Sequence, residues 1–273
     1  MSQKILVTGV YGLIAGEIYR HLDASPEQYS VYGLARRRQA SERVPEERRL
    51  EVPEDRFFLS DLSDLGEVTR AVEGMDVVVH YAADPSGRAG FESVLQSNII
   101  GAYNVFEACM LAHVKRVVFA STIQVSMGYH VEEPYGTIVR GEYSGAPEDI
   151  PVVTHKMPNR TRNIYASSKA WGEALARSYV DSHGLSCICI RVGWIPSDDR
   201  PPKPRAGYVW CSLRDMARLV ECCITAPETV RFDIFYGMSK NKHLWVDIEH
   251  AREVVGYVPL DNAEDYLQDE SPG

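Results

Sequence analysis

Tyr165 and Lys169 stand four positions apart in the stretch NIYASSKAWGEALA, which runs from Asn163 to Ala176. Positions i and i+4 share one face of a helix, so a phenol and an ammonium there can reach one bound molecule. A free tyrosine titrates near pH 10 and is a poor base at neutral pH. A neighbouring ammonium and a positively charged nicotinamide ring both favour its phenolate. The pair is a candidate proton-transfer device, and it is also what an ordinary amphipathic helix with a tyrosine near its start would contain.

Other residues fit a dinucleotide site. In KILVTGVYGLIAGEI, Gly9, Gly12 and Gly16 follow a Val/Ile-rich strand and open a helix. Glycines there let the backbone approach a diphosphate resting on the positive end of the helix dipole; a tight strand-to-helix turn without a ligand would read the same way. Tyr11, Leu13 and Ile14 fall within this turn and join the expected cofactor contacts. At the end of the second strand an NAD site places an acid for the ribose 2′-hydroxyl. Here the text is GLARRRQA, with Ala35 at the acidic position and Arg36, Arg37 and Arg38 following. Guanidinium groups suit the 2′-phosphate of NADP, so NADP is expected ahead of NAD; the alternative is a solvated charge run, of which EERR at Glu46 is another. Asp61, with Leu62 beside it, falls where an adenine contact is expected, or else it caps the next helix. Tyr81, Ala82 and Ala83 in HYAAD line the cofactor at the end of the fourth strand or simply pack, and Val192 closes a later strand at the same level.

The elements that must position these residues are visible as short apolar runs alternating with helix-like segments: KILV, SVYGL, DVVVHYAA, RVVFAS, SCICIRV and FDIFYG. Runs without polar alternation are strands buried on both faces, which predicts an α/β fold with a Rossmann-like, doubly wound parallel sheet. Two segments interrupt the rhythm. Gly128 to Arg162 is rich in Gly, Pro and charge, and Gly193 to Ser212 is proline-rich. Both would leave the carboxyl edge of the sheet, where open α/β folds bind ligands. The expected division is a dinucleotide-binding core over 1–192, completed by about 213–237, and a small substrate lobe from 193–212 and 238–273.

A chain of 273 residues with 45% hydrophobic and 25% charged residues can bury a sizeable core. Its net charge of −9 argues against nucleic-acid or anionic-membrane partners. The six cysteines show no CxxC pair and no metal-ligand spacing with histidine, so no metal is expected and most read as core residues. No signal segment and no run approaching the roughly 18 apolar residues of a membrane helix is seen. A reducing cytoplasm is the expected compartment, where the sequon Asn159-Arg160-Thr161 is a chance match.

With TGxxGxxx, the HxAA run, NIIGAYNVFEAC, FAST and YxxxK in this order, the chain resembles the extended short-chain dehydrogenase/reductases over nearly its whole length. ASTIQVSMGY, IYASSKAWGE, IRVGW and VVGYVPLDNAEDY are most similar to the branch of uronate dehydrogenases and archaeal sugar-phosphate dehydrogenases, which oxidise a sugar C1 hemiacetal to a lactone. Three departures stand out: Ala15 replaces the third glycine, Ser121-Thr122-Ile123-Gln124 stands where the branch has SSNH, and the acid for NAD is missing. The resemblance implies Tyr165 as general base, Lys169 as ribose anchor and Thr122 as catalytic hydroxyl, with Ser121 the alternative. Asn98 would support a proton relay or be a satisfied buried amide. Arg191 would bind a substrate carboxylate or form a structural ion pair. Asp84, Ser86, Gln124, Trp194, Tyr208, Lys203 and Arg205 are the remaining candidates for substrate contact. A homodimer and a small sugar-like substrate are expected. The leading function is NADP-dependent oxidation of an aldose, uronate or sugar phosphate; the alternatives are a nucleotide-sugar epimerase or dehydratase, and a catalytically silent cofactor-sensing regulator.

Overall fold

The computed structural model describes residues 2–142, 150–201 and 207–268. Seven strands, β1 (Gln3–Thr8), β2 (Tyr29–Ala35), β3 (Phe57–Leu59), β4 (Val77–His80), β5 (Arg116–Thr122), β6 (Ser186–Val192) and β7 (Phe232–Gly237), form one parallel sheet in the order β3-β2-β1-β4-β5-β6-β7. The helices are α1 (Leu13–Asp23), α2 (Leu65–Val72), α3 (Phe91–Val94), α4 (Gly101–Leu111), α5 (Tyr135–Val139), α6 (Ile164–His183), α7 (Leu213–Ile224), α8 (Glu249–Val255) and α9 (Ala263–Gln268). Strand order reverses between β1 and β4, and the crevice at their carboxyl ends is where such sheets bind ligands.

Alternate residues of each strand enter opposite cores. Ile5, Val7, Ile188 and Ile190 pack with α1 and α7, whereas Leu6, Val78, Cys187 and Cys189 pack with Phe106 of α4 and with Tyr179 of α6. This two-sided burial explains the uninterrupted apolar runs. Five of the six cysteines are buried and Cys222 is half-buried, all as free thiols.

A third apolar core sits beyond the carboxyl end of the sheet. Ile123, Tyr129, Tyr135, Ile138 and Val153 pack there with Tyr208, Val209, Met238, Trp245 and Val246. The first group lies within 1–192 and the second within 207–246, so this core draws on both of the parts expected from sequence. Tyr208, expected as a substrate contact, is 5% exposed within this core and edge-on to His130. Trp194 is half-exposed, its backbone tied to Val209 and Cys211. Lys203 and Arg205 lie outside the described residues. Among the described residues no helix is long and apolar enough to cross a membrane.

Candidate active site

A groove of about 570 Å³ opens at the carboxyl ends of β1, β2 and β4. Gly9, Tyr11, Gly12, Leu13, Ile14, Ala35, Arg36, Arg37, Asp61, Leu62, Tyr81, Ala82 and Ala83 line it; of the expected cofactor residues, Lys169 and Val192 do not. Gly9 has φ +72°, and a Cβ there would lie 2.8 Å from Ala82 Cα, so both the turn and the close approach of the strands require glycine. Gly12 stands before α1 without a side-chain cap, and the first turn of α1 holds no acid. Its leading N–H groups are thus available to an anion.

Arg36 and Arg37 are exposed on the groove wall and form no ion pair among the described residues. Arg38 turns away, stacking 5.1 Å over Phe57 and lying 3.7 Å from Glu54. The arginine run is therefore divided between groove and surface. Asp61 does not cap α2; Asp64 does, accepting from Glu67 N at 3.0 Å. The Asp61 carboxylate takes the Ser63 N–H at 3.0 Å and its hydroxyl at 2.9 Å. The Ser63 N–H foremost holds the carboxyl below the usual range, against burial, with the Ser63 hydroxyl and the Arg36 charge adding.

Tyr165 and Lys169 occupy the first turns of α6, whose N-cap Asn163 accepts from Ala166 N at 2.8 Å. α6 sits tightly on β5 because Gly172 leaves room for Phe119; a Cβ there would be 2.4 Å from the ring. Tyr165 is 8% exposed. Burial raises its pKa, while a hydrogen bond to Thr122 and the charge of Arg43 work against the rise and the charge of Asp84 adds to it. Lys169 is 3% exposed with Nζ 4.9 Å over the Phe119 ring, and burial pulls its pKa down to about 7.

Strand alternation separates the two hydroxyls of β5. Thr122 meets Tyr165 at the start of α6, whereas Ser121 donates to Glu173 Oε1 at 2.6 Å, about two turns further along the same helix. Thr122, not Ser121, faces the tyrosine.

For Asn98 and Arg191 the structure shows the partners of the structural alternative. Asn98, in a π-helical turn at Leu95–Ile100, spends both N–H hydrogens on Asp84 O (3.2 Å) and Ser168 Oγ (3.1 Å), and its Oδ1 accepts from Asp84 N at 2.8 Å. It is a satisfied buried amide that locks the loop after β4 onto α6. Arg191 is 2% exposed, and its five N–H donors are all occupied, by Glu173 Oε1 and Oε2, Tyr236, Ser126 and Asn159. No donor is left for a substrate carboxylate, so Arg191 is an internal ion pair.

Asp84, Ser86 and Gln124 lie on loops close to the start of α6. The Asp84 carboxylate accepts from Ser86 N at 3.0 Å, and Gln124 Oε1 accepts from Asn163 Nδ2 at 2.7 Å. A Cβ on Gly87 would be 3.5 Å from Gln124 Oε1, which places the two loops side by side.

Sequence reasoning missed the segment from Gln39 to Arg43, which also lines the groove. Ser41 N donates to Tyr11 O at 2.9 Å, and Arg43 Nη2 reaches Ile195 O at 2.9 Å. The segment thus crosses from the glycine turn to the proline-rich insertion and carries a cation near Tyr165. Polar loop composition held no signal of this.

A model of the NAD dependent epimerase/dehydratase family matches residues 5–217. The chain is 31% identical to the NAD-dependent glucose-6-phosphate dehydrogenase of Haloferax volcanii, over 100% of this chain and 98% of that protein. It is 35% identical to the L-arabinose 1-dehydrogenase (NAD(P)(+)) of the same organism, over 74% of this chain and 81% of the relative. The crystal structure of a mutant uronate dehydrogenase from Agrobacterium tumefaciens complexed with NAD is similar at a TM-score of 0.77 and 27% identity, covering 100% of this chain and 91% of that one.

Proposed function

The chain belongs to the NAD dependent epimerase/dehydratase family, and from that premise we propose that it is an NADP-preferring dehydrogenase that oxidises an aldose at C1 to the lactone. The observation that carries this reading is the meeting of Tyr165, Lys169 and Thr122 beside a groove built for a dinucleotide. The residues fit the cofactor. The uncapped start of α1 takes the diphosphate, Gly9 and Ala82 keep the floor low, and Arg36 and Arg37 meet a 2′-phosphate where Ala35 offers no competing carboxylate. The oxidised nicotinamide, when bound, supplies the hydride acceptor.

Tyr165 takes the C1 hydroxyl proton as general base, and Thr122, within hydrogen-bond reach of the phenol, orients the reacting oxygen. Burial beneath the groove disfavours the charged form of Lys169. Ribose hydroxyls and the phenolate would bond the ammonium form and restore it, and that charge then favours the phenolate. Burial excludes water from all three side chains.

The substrate reading follows from Arg191. With its donors spent on Glu173, Tyr236, Ser126 and Asn159, a neutral aldose is favoured over a uronate, with Asp84, Ser86, Gln124 and Trp194 as the side chains available to its hydroxyls. The small lobe, the homodimer and the cytoplasmic setting belong to the same reading. The test is a panel of aldoses, uronates and sugar phosphates with NADP and with NAD, followed by nicotinamide absorbance. Net cofactor reduction by an aldose supports the reading. Conversion of a nucleotide sugar without net reduction would mean an epimerase, and binding without turnover of any sugar a sensor.

A further inference from the structure

His155, Asp233 and His250 are distant in sequence, and no spacing rule links them. The fold places the first on the segment after Val153, the second on β7 at the sheet edge and the third on α8. One ligand atom from each lies within 4.8 Å of the others. His250 Nε2 is 2.7 Å from Asp233 Oδ1, and His155 Nε2 is 4.0 Å from the same oxygen. The imidazoles are 4.4 Å apart between centroids, at 22°. All three residues are half-buried, and none lines the dinucleotide groove.

We propose that these three side chains bind a first-row divalent transition ion, zinc foremost, which staples the segment around Val153 and α8 to the edge of the sheet. Two imidazoles and one carboxylate are a borderline N/O donor set of the kind zinc takes, with water in the fourth position. Tetrahedral zinc with donors at about 2.0–2.2 Å separates neighbouring donors by about 3.3–3.5 Å. The 2.7 and 4.0 Å separations fall on either side of that value, so a bound ion would lengthen the first, shorten the second and turn the stacked imidazoles toward a common centre. Water has access, because His155 lines a cavity of about 300 Å³. Burial foremost, then His250 and the charges of Lys156 and Arg191, act on His155 against protonation, with Asp233 opposing them, and Arg191 is itself paired with Glu173 at 2.9 Å. The staple would add to the pairing of the Val153 segment with Val246, where Val153 N donates to Trp245 O and Asp247 N to Val153 O, and would tie that segment to α8 and to the sheet edge.

The test uses the full-length, tag-free protein, stripped with a chelator and titrated with zinc chloride by calorimetry, alongside thermal melting with zinc and with chelator. One equivalent bound at micromolar affinity or tighter, and a higher Tm with zinc, are expected. Loss of one ligand in His155→Gln or Asp233→Asn should weaken binding by more than the roughly 10- to 100-fold that loss of an outer partner costs. His155→Gln keeps the His250–Asp233 bond and decides the matter if Asp233→Asn folds poorly. Cys222→Ser, at the half-buried thiol, should leave binding unchanged. No saturable binding, full binding retained by His155→Gln/His250→Gln, or binding lost with Cys222 would each overturn the proposal.

Discussion

Replacing Arg36 and Arg37 together by alanine tests the cofactor reading where it is most exposed. Both guanidinium groups face the groove with no carboxylate partner among the described residues, so their contact with a 2′-phosphate would not first have to break an ion pair. A buried charge-assisted bond contributes about 1.5–3 kcal/mol, and an exposed pair about 1 or less. These side chains are exposed in the open groove and partly covered once a nucleotide fills it, so about 1–2 kcal/mol each is a reasonable figure. The sum of about 2–4 kcal/mol corresponds to roughly 30- to 1000-fold. The expected result is a fall of that size in kcat/KM for NADP, with NAD changed by less than about threefold, because the diphosphate and nicotinamide contacts are untouched. Direct binding measured by protein fluorescence should show the same split in Kd. Ala35→Asp with Arg36→Leu should go further and reverse the preference, since a carboxylate at the end of β2 attracts the ribose 2′-hydroxyl and repels a phosphate. A wild-type kcat/KM for NAD equal to or above that for NADP would refute the reasoning, as would equal losses on both cofactors in the double variant.

Tyr165→Phe should remove turnover while cofactor Kd stays within about twofold, because it deletes the acid/base group and little packing; a variant keeping more than about a tenth of wild-type kcat would move the proton transfer elsewhere. The basic form of Tyr165 drives oxidation, so activity should rise with pH through its titration. Burial puts that titration above the ordinary tyrosine value, and the Arg43 charge holds it lower than burial alone would. Arg43→Ala should therefore shift the rising limb of the kcat/KM profile to higher pH, and a profile that is unmoved would separate Arg43 from the tyrosine. Arg191→Ala leaves Glu173 buried and unpaired, at a cost of about 3–5 kcal/mol and a Tm lowered by roughly 6–20 °C. The accompanying activity loss should be similar on neutral and anionic sugars, and a loss confined to anionic substrates would restore Arg191 as their ligand.

Residues whose roles depend on near neighbours were legible in the chain itself. The glycine turn, Ala35 with its arginines, and Tyr165 four positions before Lys169 each lie within one strand, turn or helix, where periodicity fixes which side chains share a face. The doubly wound sheet was readable for the same reason, since burial on both faces leaves apolar runs without polar alternation. Tertiary packing decided what local periodicity could not. Ser121 and Thr122 are adjacent and chemically alike, and only their different partners on α6, Glu173 for the first and Tyr165 for the second, tell them apart. Arg191 and Asn98 looked available because their acceptors lie 14 to 70 positions away, and those acceptors consume every donor they have. Tyr208 joined a core assembled from separate segments between Ile123 and Val246. Arg43 came to the groove through a single bond to Ile195, 152 residues on. A sequence records which groups can bond, but the partners that saturate a guanidinium or an amide are chosen by long-range packing, and that choice separates a side chain free for substrate from one the fold has already used.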